Sequence, residues 1–536
     1  MRPQSDNNSN AAAATRALVQ ALDNAAAFGH AISGLQRIET HISWIILTGE
    51  FAYKIKKPVD FGFLDYSTLA LRRACCEEEL RLNYRFAPQI YLRVVAIRGS
   101  LSSPRLHGDG RVIEYAVQMR EFPQQSLFSY HATAATLRAD MVDAIALRVA
   151  GLHRDAPVAA ANSDFGSPRS VQHWSEENLA QLRNNVPAER MPASFDRLCQ
   201  WYDEITGLPE RLRLRQQHGC IRECHGDLHL GNMALLDGEV VPFDCIEFNP
   251  ELRWIDSISE AAFVAMDLQA RGYPHFCWRF ISGYLESSAD YAGVDLLRYY
   301  FVYRALVRAK VEALRLQAAA STEHEDYAGL RNYLDLAAQW AGSQNAGLIL
   351  MHGLSGSGKS TVAAALVEIL GAIRLRSDVV RKRMFELEID ADSESAPGAG
   401  IYSADATTQT YRRLREYAAD ILAAGFLVIV DATFLSRSQR QVLLELASAQ
   451  GCAAVVVDCN APLDELRRRI RERENDPSEA NLQVLERQLE QQQPVDPAEA
   501  GITGIVRVGS GGLGDDHTQR IRELLLAEPV TVARPE

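Results

Sequence analysis

Hydrophobic and polar positions follow three different patterns along the chain. From about residue 13 to 125 helical and strand patterns are mixed, and the β-like runs are Ser43–Thr48, Ala52–Ile55 and Val112–Met119. From about 135 to 340 the pattern is mostly helical, apart from a strand-rich island at 218–248. Later, helical segments alternate with the apolar runs Leu348–Met351, Phe426–Val430 and Ala453–Val457. This alternation predicts a parallel α/β sheet.

These patterns predict two domains in a chain of 536 residues. We expect a disordered tail over 1–12, a first domain over 13–340 whose small lobe ends near 125, a linker over 341–347 and a second domain over 348–536. The predicted fold class is α+β for the first domain. For the second it is α/β, with a doubly wound parallel sheet.

Charge and composition argue against some classes of function. The chain has 56 Lys and Arg against 69 Asp and Glu, a net charge of −13, so non-specific nucleic-acid binding is not expected. The N-terminus is polar and no run of about 18 apolar residues occurs, so we expect neither a signal peptide nor a membrane partner. Nine irregularly spaced cysteines fit reduced thiols in a cytoplasmic protein.

A phosphate loop follows the first apolar run of the second domain. Residues 353–360 fit G-x-x-x-x-G-K-[ST] at every fixed position, between a strand pattern and a helical one. Lys359 is suited to neutralise the β- and γ-phosphates of a nucleotide, and the Ser360 hydroxyl can ligate Mg²⁺. The expected nucleotide-binding residues are Gly353, Ser355, Gly356, Ser357, Gly358, Lys359, Ser360 and Thr361.

Two further strand ends in this domain carry aspartates. Asp431 ends the run Phe426–Val430 with no acidic residue after it, so we expect it to hold Mg²⁺ without activating water. This favours transfer to a substrate hydroxyl over hydrolysis. Asp378 follows the run Ala372–Arg376 and could accept the proton of an acceptor hydroxyl, or could cap the next helix.

An arginine-rich segment occupies 467–473, where Arg467 and Arg471 are four residues apart on one helical face. We expect one or two of its five arginines to be catalytic, meeting phosphates in the transition state as part of a lid, with Arg467 and Arg471 as the candidates. The alternative is a solvated helix whose arginines pair with neighbouring carboxylates.

Taken together, these features resemble the small P-loop kinases of the zeta-toxin, gluconate-kinase and polynucleotide-kinase type. The resemblance covers about 190 residues. It implies ATP- and Mg²⁺-dependent phosphorylation of a small hydroxyl-bearing molecule, with Lys359 catalytic and Asp378 as the base. It also implies that Arg381 and Arg437 lie near the acceptor.

The first domain contains a second phosphotransfer motif. Residues 225–232 match H-x-D-x-x-x-x-N, with Gly226 at the usual Arg position. Asp227 is expected to accept the hydroxyl proton, and Asn232 to ligate Mg²⁺. An Asp-Gly turn at 237–238 predicts a hairpin that returns the chain to Asp244, the expected main Mg²⁺ ligand.

Two other interpretations of this motif stay open. Asp227 and Asn232 could merely stabilise a turn, although the position of Asp244 argues against that. Alternatively, four residues could bind zinc: His218, Cys220, Cys224 and His225. Their place along an apparent strand argues against it, because neighbours on a strand point to opposite faces.

Upstream residues would hold ATP. Lys54 ends a strand pattern like V-A-I-K and is expected to contact the α- and β-phosphates, although Lys56 shares its face. One of three consecutive glutamates at 77–79 should pair with the lysine, and Glu79 is favoured. Phe122 lies in a predicted hinge beside adenine.

This arrangement resembles the aminoglycoside-phosphotransferase (choline-kinase-like) superfamily over about 300 residues. The resemblance implies a bilobal, protein-kinase-like fold and a small-molecule acceptor. The whole chain is similar to bacterial fusions described as bifunctional aminoglycoside phosphotransferase and ATP-binding proteins. Two alternatives remain: one domain could regulate the other, or the P-loop domain could be a polynucleotide 5′-kinase. The sequence names neither acceptor and predicts no oligomeric state.

Overall fold

The computed structural model describes residues 4–62, 64–318, 327–389, 391–393, 395, 399–472 and 478–527. The chain forms two compact units, each assembled from more than one segment. The first unit comprises Met1–Leu137, Asp155–Val171 and Leu212–Glu260. The second comprises Arg138–Arg154, Gln172–Arg211 and Ala261–Glu536. The predicted boundary at 341–347 remains a prediction.

The elements of the chain up to residue 342 are, in order, α1 (Gln4–Ala21), β1 (Gln36–Glu39), β2 (Ser43–Leu47), β3 (Phe51–Lys56), α2 (Leu69–Tyr84), β4 (Tyr91–Ser100), β5 (Ser103–Arg105), β6 (Val112–Arg120), α3 (Phe128–Thr133), α4 (Ala139–Asp155), α5 (Pro168–Asn185), α6 (Ser194–Glu204), α7 (Leu208–Gln217), β7 (Ile221–Glu223), β8 (Met233–Leu236), β9 (Glu239–Pro242), β10 (Trp254–Asp256), α8 (Ser257–Ala270), α9 (Pro274–Ser288), α10 (Val294–Ala318) and α11 (Ala328–Gly342).

The remaining elements are β11 (Gly347–His352), α12 (Lys359–Leu370), β12 (Ala372–Arg376), α13 (Ser377–Met384), α14 (Ala404–Ala423), β13 (Leu427–Asp431), α15 (Arg437–Ala449), β14 (Ala453–Cys459), α16 (Leu463–Arg471), α17 (Leu482–Gln491), β15 (Gly504–Val508) and α18 (Asp515–Leu525).

A six-stranded antiparallel sheet, in the order β1-β2-β3-β6-β4-β5, forms much of the first unit. Strand β3 is buried on both faces because helices cover both sides of the sheet. Tyr53 and Ile55 pack with Leu18 of α1, while Ala52 packs with Cys76 of α2. Side chains alternate along a strand, so Lys54 and Lys56 share the face that α2 covers.

Short strand pairs complete the first unit. Strands β8 and β9 form an antiparallel hairpin in which Met233 lies opposite Pro242. Strand β7 pairs with β10, with Glu223 opposite Trp254. The stretch between β7 and β8 contains the H-x-D motif, and Asp244 follows β9 by two residues. The hairpin therefore returns the chain, at Asp244, toward the H-x-D motif.

A five-stranded parallel sheet lies in the second unit, in the order β12-β13-β11-β14-β15. Its central strand β11 is buried throughout and pairs with β13 on one side and β14 on the other. Strands of this kind are apolar at nearly every position because helices cover both faces of the sheet. Helix α12 packs on it through Val362, Leu366 and Val367.

Helices of the 261–342 segment pack on this P-loop fold inside the second unit. The ring of Trp278 on α9 stacks on Trp340 with centroids 5.4 Å apart, and lies 5.9 Å from the ring of Phe426. Glu286, also on α9, accepts a hydrogen bond from Arg376 Nη1 at 3.3 Å. Helix α9 thus contacts the strand that leads to Asp378.

The predicted fold classes, α+β followed by α/β with a parallel sheet, are confirmed. Every β-like run named from the sequence overlaps an observed strand, and the ends of run and strand differ by at most two residues. Helix α1 begins at Gln4, inside the tail for which disorder was expected, and only 343–346 separate α11 from β11. Among the described residues, no helix combines the length and apolar character that crossing a membrane requires.

Candidate active sites

The expected lysine–glutamate pair forms between β3 and α2. Lys54 Nζ donates to Glu79 Oε1 at 2.8 Å and also to the Asp244 carboxylate. Burial alone would lower the pKa of Lys54, but the carboxylates of Asp244 and Glu79 outweigh it and hold that pKa well above its usual range. Lys54 is therefore charged. It joins the small-lobe helix to the segment after the hairpin.

His225 orders the start of the 225–232 loop. Its Nε2–H donates to Phe243 O at 2.8 Å, while its Nδ1 accepts from Asp227 N at 3.4 Å. Complete burial lowers the pKa of His225, so the ring is neutral and these two bonds fix its tautomer. The backbone N–H of His225 donates to Glu260 at 3.1 Å.

The hairpin brings the three expected acidic and amide groups together. Phe243 N donates to Asn232 O at 2.9 Å, which places Asp244 next to Asn232. Asn232 Nδ2 donates to both Asp227 O and Asp227 Oδ2 at 3.0 Å, so its amide is oriented with Nδ2 toward Asp227. These bonds show that the two residues stabilise the turn, and their expected part in the site stays a prediction.

The oxygen donors of this site suit a hard divalent cation. Asp244 has a side chain that is 41% exposed, and a φ of 66° turns its backbone into the left-handed region. Its N–H donates to Tyr91 Oη at 3.1 Å, which helps to hold that conformation. Carboxylate and amide oxygens are the ligands that Mg²⁺ accepts. Asp244 and Asn232, with Asp227 nearby, are the residues that would hold it.

The β2–β3 turn is held by contacts that the sequence did not predict. Glu121 Oε2 accepts from Thr48 N at 3.1 Å and from Gly49 N at 2.8 Å, so the hinge residue fixes the β2–β3 turn. Phe122 packs its ring 5.3 Å from Phe243, the residue before Asp244. The acidic residue of the predicted hinge was the available signal, but its partners lie 73 and 72 residues away in the sequence.

The zinc alternative does not assemble. No three of its four residues bring their donor atoms within 4.8 Å of one another in the part of the chain that the structure describes. Cys224 is instead packed in the core, and its backbone N–H donates to Arg253 O at 2.8 Å. All nine cysteines are free thiols.

Three glycines give the phosphate loop its shape. Gly353 has a φ of 134°, and a Cβ there would lie 2.2 Å from Cys459 O. Gly356 and Gly358 have φ values of 82° and 90°, and a Cβ on Gly356 would lie 2.9 Å from Leu466 O. Helix α12 then begins at Lys359, so its first amides have no acceptor within the helix and face the loop.

Some loop groups already have protein partners in this structure. Ser355 N donates to Gln488 Oε1 at 2.8 Å, and Lys359 Nζ donates to Leu354 O at 2.7 Å. Helix α17 therefore contacts the loop through Gln488. A phosphate that binds Ser355 N would have to displace the side chain of Gln488.

Asp431 is suited to bind a metal ion beside the phosphate loop. It is 5% exposed, and its Oδ2 is buried with no hydrogen-bond partner among the described residues. A buried carboxylate oxygen without a partner is costly unless a cation meets it. Asp431 and Ser360 line the same cavity, so they are the residues that would hold Mg²⁺ here.

That cavity has a volume of about 810 Å³ and opens beside the phosphate loop. Asp378 lines it from the first turn of α13, whose N-cap is Arg376, so Asp378 is not the capping residue. Arg381 lines it too and lies over the ring of Tyr402, 4.8 Å from the centroid. Arg437 is not among the described residues that line it.

The arginines of α16 divide between cavity and surface. Arg469 lines the cavity, and its Nη1 lies 3.4 Å from Gly356 O. Arg467 instead pairs with Glu486 at 3.1 Å on the exposed side, and neither it nor Arg471 is among the described lining residues. Arg473 lies outside the described residues. The sequence pattern identified the helix but could not say which face meets the loop.

Comparison with known proteins gives matches to both parts of the chain. The family model described as "AAA domain" matches residues 348–495. The chain is 32% identical over 447 residues to "Uncharacterized protein Rv2004c" of Mycobacterium tuberculosis, covering 83% of this chain and 88% of that protein. "Uncharacterized protein Mb2027c" of Mycobacterium bovis matches with the same identity and coverage.

Solved structures resemble the two parts separately. "Amicoumacin kinase hAmiN in complex with AMP-PNP, Ca2+ and Ami" is 14% identical with a TM-score of 0.38, covering 61% of this chain and 95% of that one. A choline/ethanolamine kinase family protein from Mesorhizobium loti is 12% identical with a TM-score of 0.36, at 60% and 93% coverage. A gluconokinase from Sinorhizobium meliloti 1021 is 23% identical with a TM-score of 0.24, at 34% and 91%.

Proposed function

The chain belongs to the family of the mycobacterial protein Rv2004c, and from this premise we propose that it is a kinase with two active sites. Each site would use ATP and Mg²⁺ to transfer the γ-phosphoryl group to a hydroxyl of a small molecule. The predicted fusion of a kinase-like fold to a P-loop domain is confirmed. The two activities and their acceptors are the proposal.

One observation carries the proposal: each compact unit brings a lysine and a carboxylate to one candidate nucleotide site. In the first unit Lys54 contacts Asp244 directly. In the second, Lys359 lies at one cavity with Asp431, whose Oδ2 has no hydrogen-bond partner in the described part of the chain. A lysine for the phosphates and a carboxylate for the cation are what phosphoryl transfer requires, because catalysis consists mainly of positioning and neutralising charge.

In the kinase-like site, Lys54 is held by Glu79 where it can meet nucleotide phosphates. Asp244 and Asn232 would hold the divalent ion, which would supply positive charge to offset that of the phosphates. Asp227 is oriented by Asn232 and would accept the proton of the attacking hydroxyl. Phe122 and the Glu121-fastened turn would border the nucleotide.

In the P-loop site, Lys359 and the first amides of α12 would bind the phosphates. Asp378 lines the cavity and would accept the acceptor's proton, while Arg469 would meet the transferring phosphoryl group. No carboxylate follows Asp431 in the stretch Ala432-Thr433-Phe434, so no residue next to it can activate water. This supports transfer over hydrolysis. Arg381 would lie on the acceptor side of the cavity.

A metabolite extract incubated with γ-³²P-labelled ATP tests the proposal. We expect wild-type protein to label products that fall into two sets. Asp227→Asn should abolish one set and Lys359→Ala the other, while Asp237→Asn should leave both unchanged because Asp237 lies exposed in the hairpin turn.

If Asp227→Asn leaves every product in place while Lys359→Ala removes all of them, the first domain is a regulatory module and the two-enzyme proposal is wrong. If neither variant changes the labelling, neither site carries out transfer. Strong salt dependence of the Lys359-dependent products would indicate a polynucleotide acceptor instead.

A further inference from the structure

A second lysine of β3 lies directly behind the Lys54–Glu79 pair. Lys56 is completely buried, and its ammonium group donates to the carboxylates of both Glu79 and Glu247. Tyr66, also fully buried, donates its hydroxyl hydrogen to Glu247. The phosphotransfer steps proposed above do not involve Lys56 or Glu247. Neither of them is placed to meet a nucleotide or an acceptor.

Glu79 connects the two lysines. Its Oε1 accepts from Lys54 and its Oε2 from Lys56. Lys54 also contacts Asp244, and Lys56 also contacts Glu247, which lies three residues later. The ion pairs therefore fasten both ends of the segment 244–247 to the same two lysines of β3. A shift of this segment would break contacts at both ends.

The Lys56–Glu247 pair is electrically neutral, so it adds no net charge at the place where a cation would bind. Burial alone would lower the pKa of Lys56, but Glu247 and Glu79 more than offset it, so Lys56 remains charged. Burying such a pair is seldom more favourable than packing apolar side chains of the same size. Its effect must therefore be sought in geometry.

The segment that the pair fastens carries a conformation that needs support. Asp244 has a φ of 66°, which few residues adopt unless their surroundings impose it. The Tyr91 hydroxyl accepts a hydrogen bond from the N–H of Asp244, and Asn83 Oδ1 accepts one from the N–H of the next residue, Cys245, at 2.9 Å. The contact with Lys56 through Glu247 fixes the other end of the segment.

We propose that Lys56 and Glu247 are positioning residues of the kinase-like site. They lock the segment 244–247 onto β3, so that the Asp244 carboxylate keeps the direction in which it can hold a divalent cation. The inference rests on the proposed function, in which Asp244 is the main metal ligand. It adds that cation binding depends on a second, buried ion pair which touches neither metal nor substrate.

Mn²⁺ binding in the presence of AMP-PNP, followed by electron paramagnetic resonance, provides the test. All variants carry Lys359→Ala in the full chain, which removes the P-loop site from the measurement. Lys56→Met and Glu247→Gln are made singly and together, and the guanidinium midpoint of each protein is measured beside its Mn²⁺ affinity. Lys56→Met leaves the buried Glu247 carboxylate without the ammonium group that it faces, and Glu247→Gln takes one of two carboxylates from the buried Lys56, whereas the double change removes both charges.

We expect both single variants to lose stability and the double variant to regain most of it, because the double variant has no orphaned charge. Its Mn²⁺ affinity should nevertheless stay about tenfold below the parent, as for other residues that orient a metal ligand. Recovery of Mn²⁺ affinity together with stability would show that the pair is merely structural, and would overturn the inference.

Two further variants keep the test decisive. Tyr66→Phe removes one hydrogen bond to Glu247 without orphaning a charge, and should weaken Mn²⁺ binding by a smaller factor; if the double variant fails to fold and Tyr66→Phe binds like the parent, the inference is wrong. Asp244→Asn examines the premise itself. If Asp244→Asn binds Mn²⁺ as well as the parent does, the proposed function of Asp244 fails, whatever the Lys56 and Glu247 variants do.

Discussion

Gly226 occupies the position at which the protein-kinase loop has arginine, and its surroundings explain the difference. Its φ is 88°, and a Cβ built there would lie 2.7 Å from Leu252 O. Any side chain would therefore meet both backbone strain and a clash with a carbonyl oxygen. The glycine lets the loop pass under the 250–253 turn. It is a geometric requirement of this loop rather than a degraded motif.

Replacing Gly226 by alanine should therefore destabilise the protein by about 2–4 kcal/mol, combining strain with steric overlap. Gly238 is the matched control, since its φ is 84° but no atom of the described residues lies within 4 Å of a Cβ there. Gly238→Ala should cost only about 1 kcal/mol, the strain component alone. Urea denaturation of both variants measures the difference, and equal losses would contradict the role assigned to the Leu252 carbonyl.

His225 gives the stability of the first unit a pH dependence of known sign. The pKa of His225 is lowered in the folded protein. Below about pH 6.5 the unfolded chain therefore binds a proton on this residue that the folded chain does not bind. The contribution of His225 to the stability of the folded protein is therefore complete above that pH and is lost as the pH falls. We expect His225→Gln to be less stable at pH 7 but to lose less further stability between pH 7 and 5.5.

Denaturation midpoints across this pH range measure the effect of His225. The exposed His173 is the control, and His173→Gln should keep the wild-type slope. A His225→Gln protein with the wild-type slope would show that His225 is not the titrating group.

Helix α16 shows how an element's orientation assigns roles that its composition leaves open. Leu466 is its buried contact, and the close approach of Leu466 O to Gly356 sets α16 against the phosphate loop. This turns Arg469 toward the cavity and leaves Arg467 with Glu486 on the exposed side. Arginines two positions apart on a helix point in different directions, so only one of these two can reach the phosphates.

Arg469→Ala should slow formation of the Lys359-dependent products about a hundredfold, because a cation directed at the transferring phosphoryl group would be lost. Arg467→Ala is the matched control and should change the rate by less than about twofold, since an exposed ion pair contributes little. Initial rates of ³²P transfer measure both. A larger effect at Arg467 than at Arg469 would mean that the helix turns its other face to the nucleotide.

At the scale of the whole molecule, each of the two units contains its own lysine and its own candidate cation ligand. The division does not follow the chain in a simple way, because the segment 261–342 belongs to the same compact unit as the P-loop sheet. Contacts such as Trp278 with Phe426, and Glu286 with Arg376, account for this. The helices before β11 are therefore part of the support of the P-loop site.

Two separate sites predict a binding stoichiometry. Isothermal titration with Mg²⁺ and AMP-PNP should give two nucleotides per wild-type chain and one for either Lys54→Met or Lys359→Ala. The double variant should bind none, because each lysine would supply a positive charge that its site needs in order to hold the phosphates. A single nucleotide per wild-type chain, lost on changing either lysine, would contradict independent sites.

Much of both sites could be predicted from the sequence because the signals are local. The motif 225–232, the Asp-Gly turn and the phosphate loop each lie within a few residues, so spacing alone relates their side chains. Lys54 and Glu79 were named for the same reason, since a strand and the following helix have recognisable patterns. Glu121, Glu247 and Arg469 act through partners far away in the sequence, and no spacing rule relates such pairs.

The sequence by itself determined the two motifs, the strands and helices that carry them and the fold classes, because backbone hydrogen bonding and side-chain periodicity act over short distances. Only the tertiary structure decided that Glu79 serves two lysines and that, among the described residues, one carboxylate oxygen of Asp431 has no hydrogen-bond partner and Arg469 is the arginine of α16 that lines the cavity. These outcomes depend on which faces of distant elements meet, and that is fixed by the packing of the whole core.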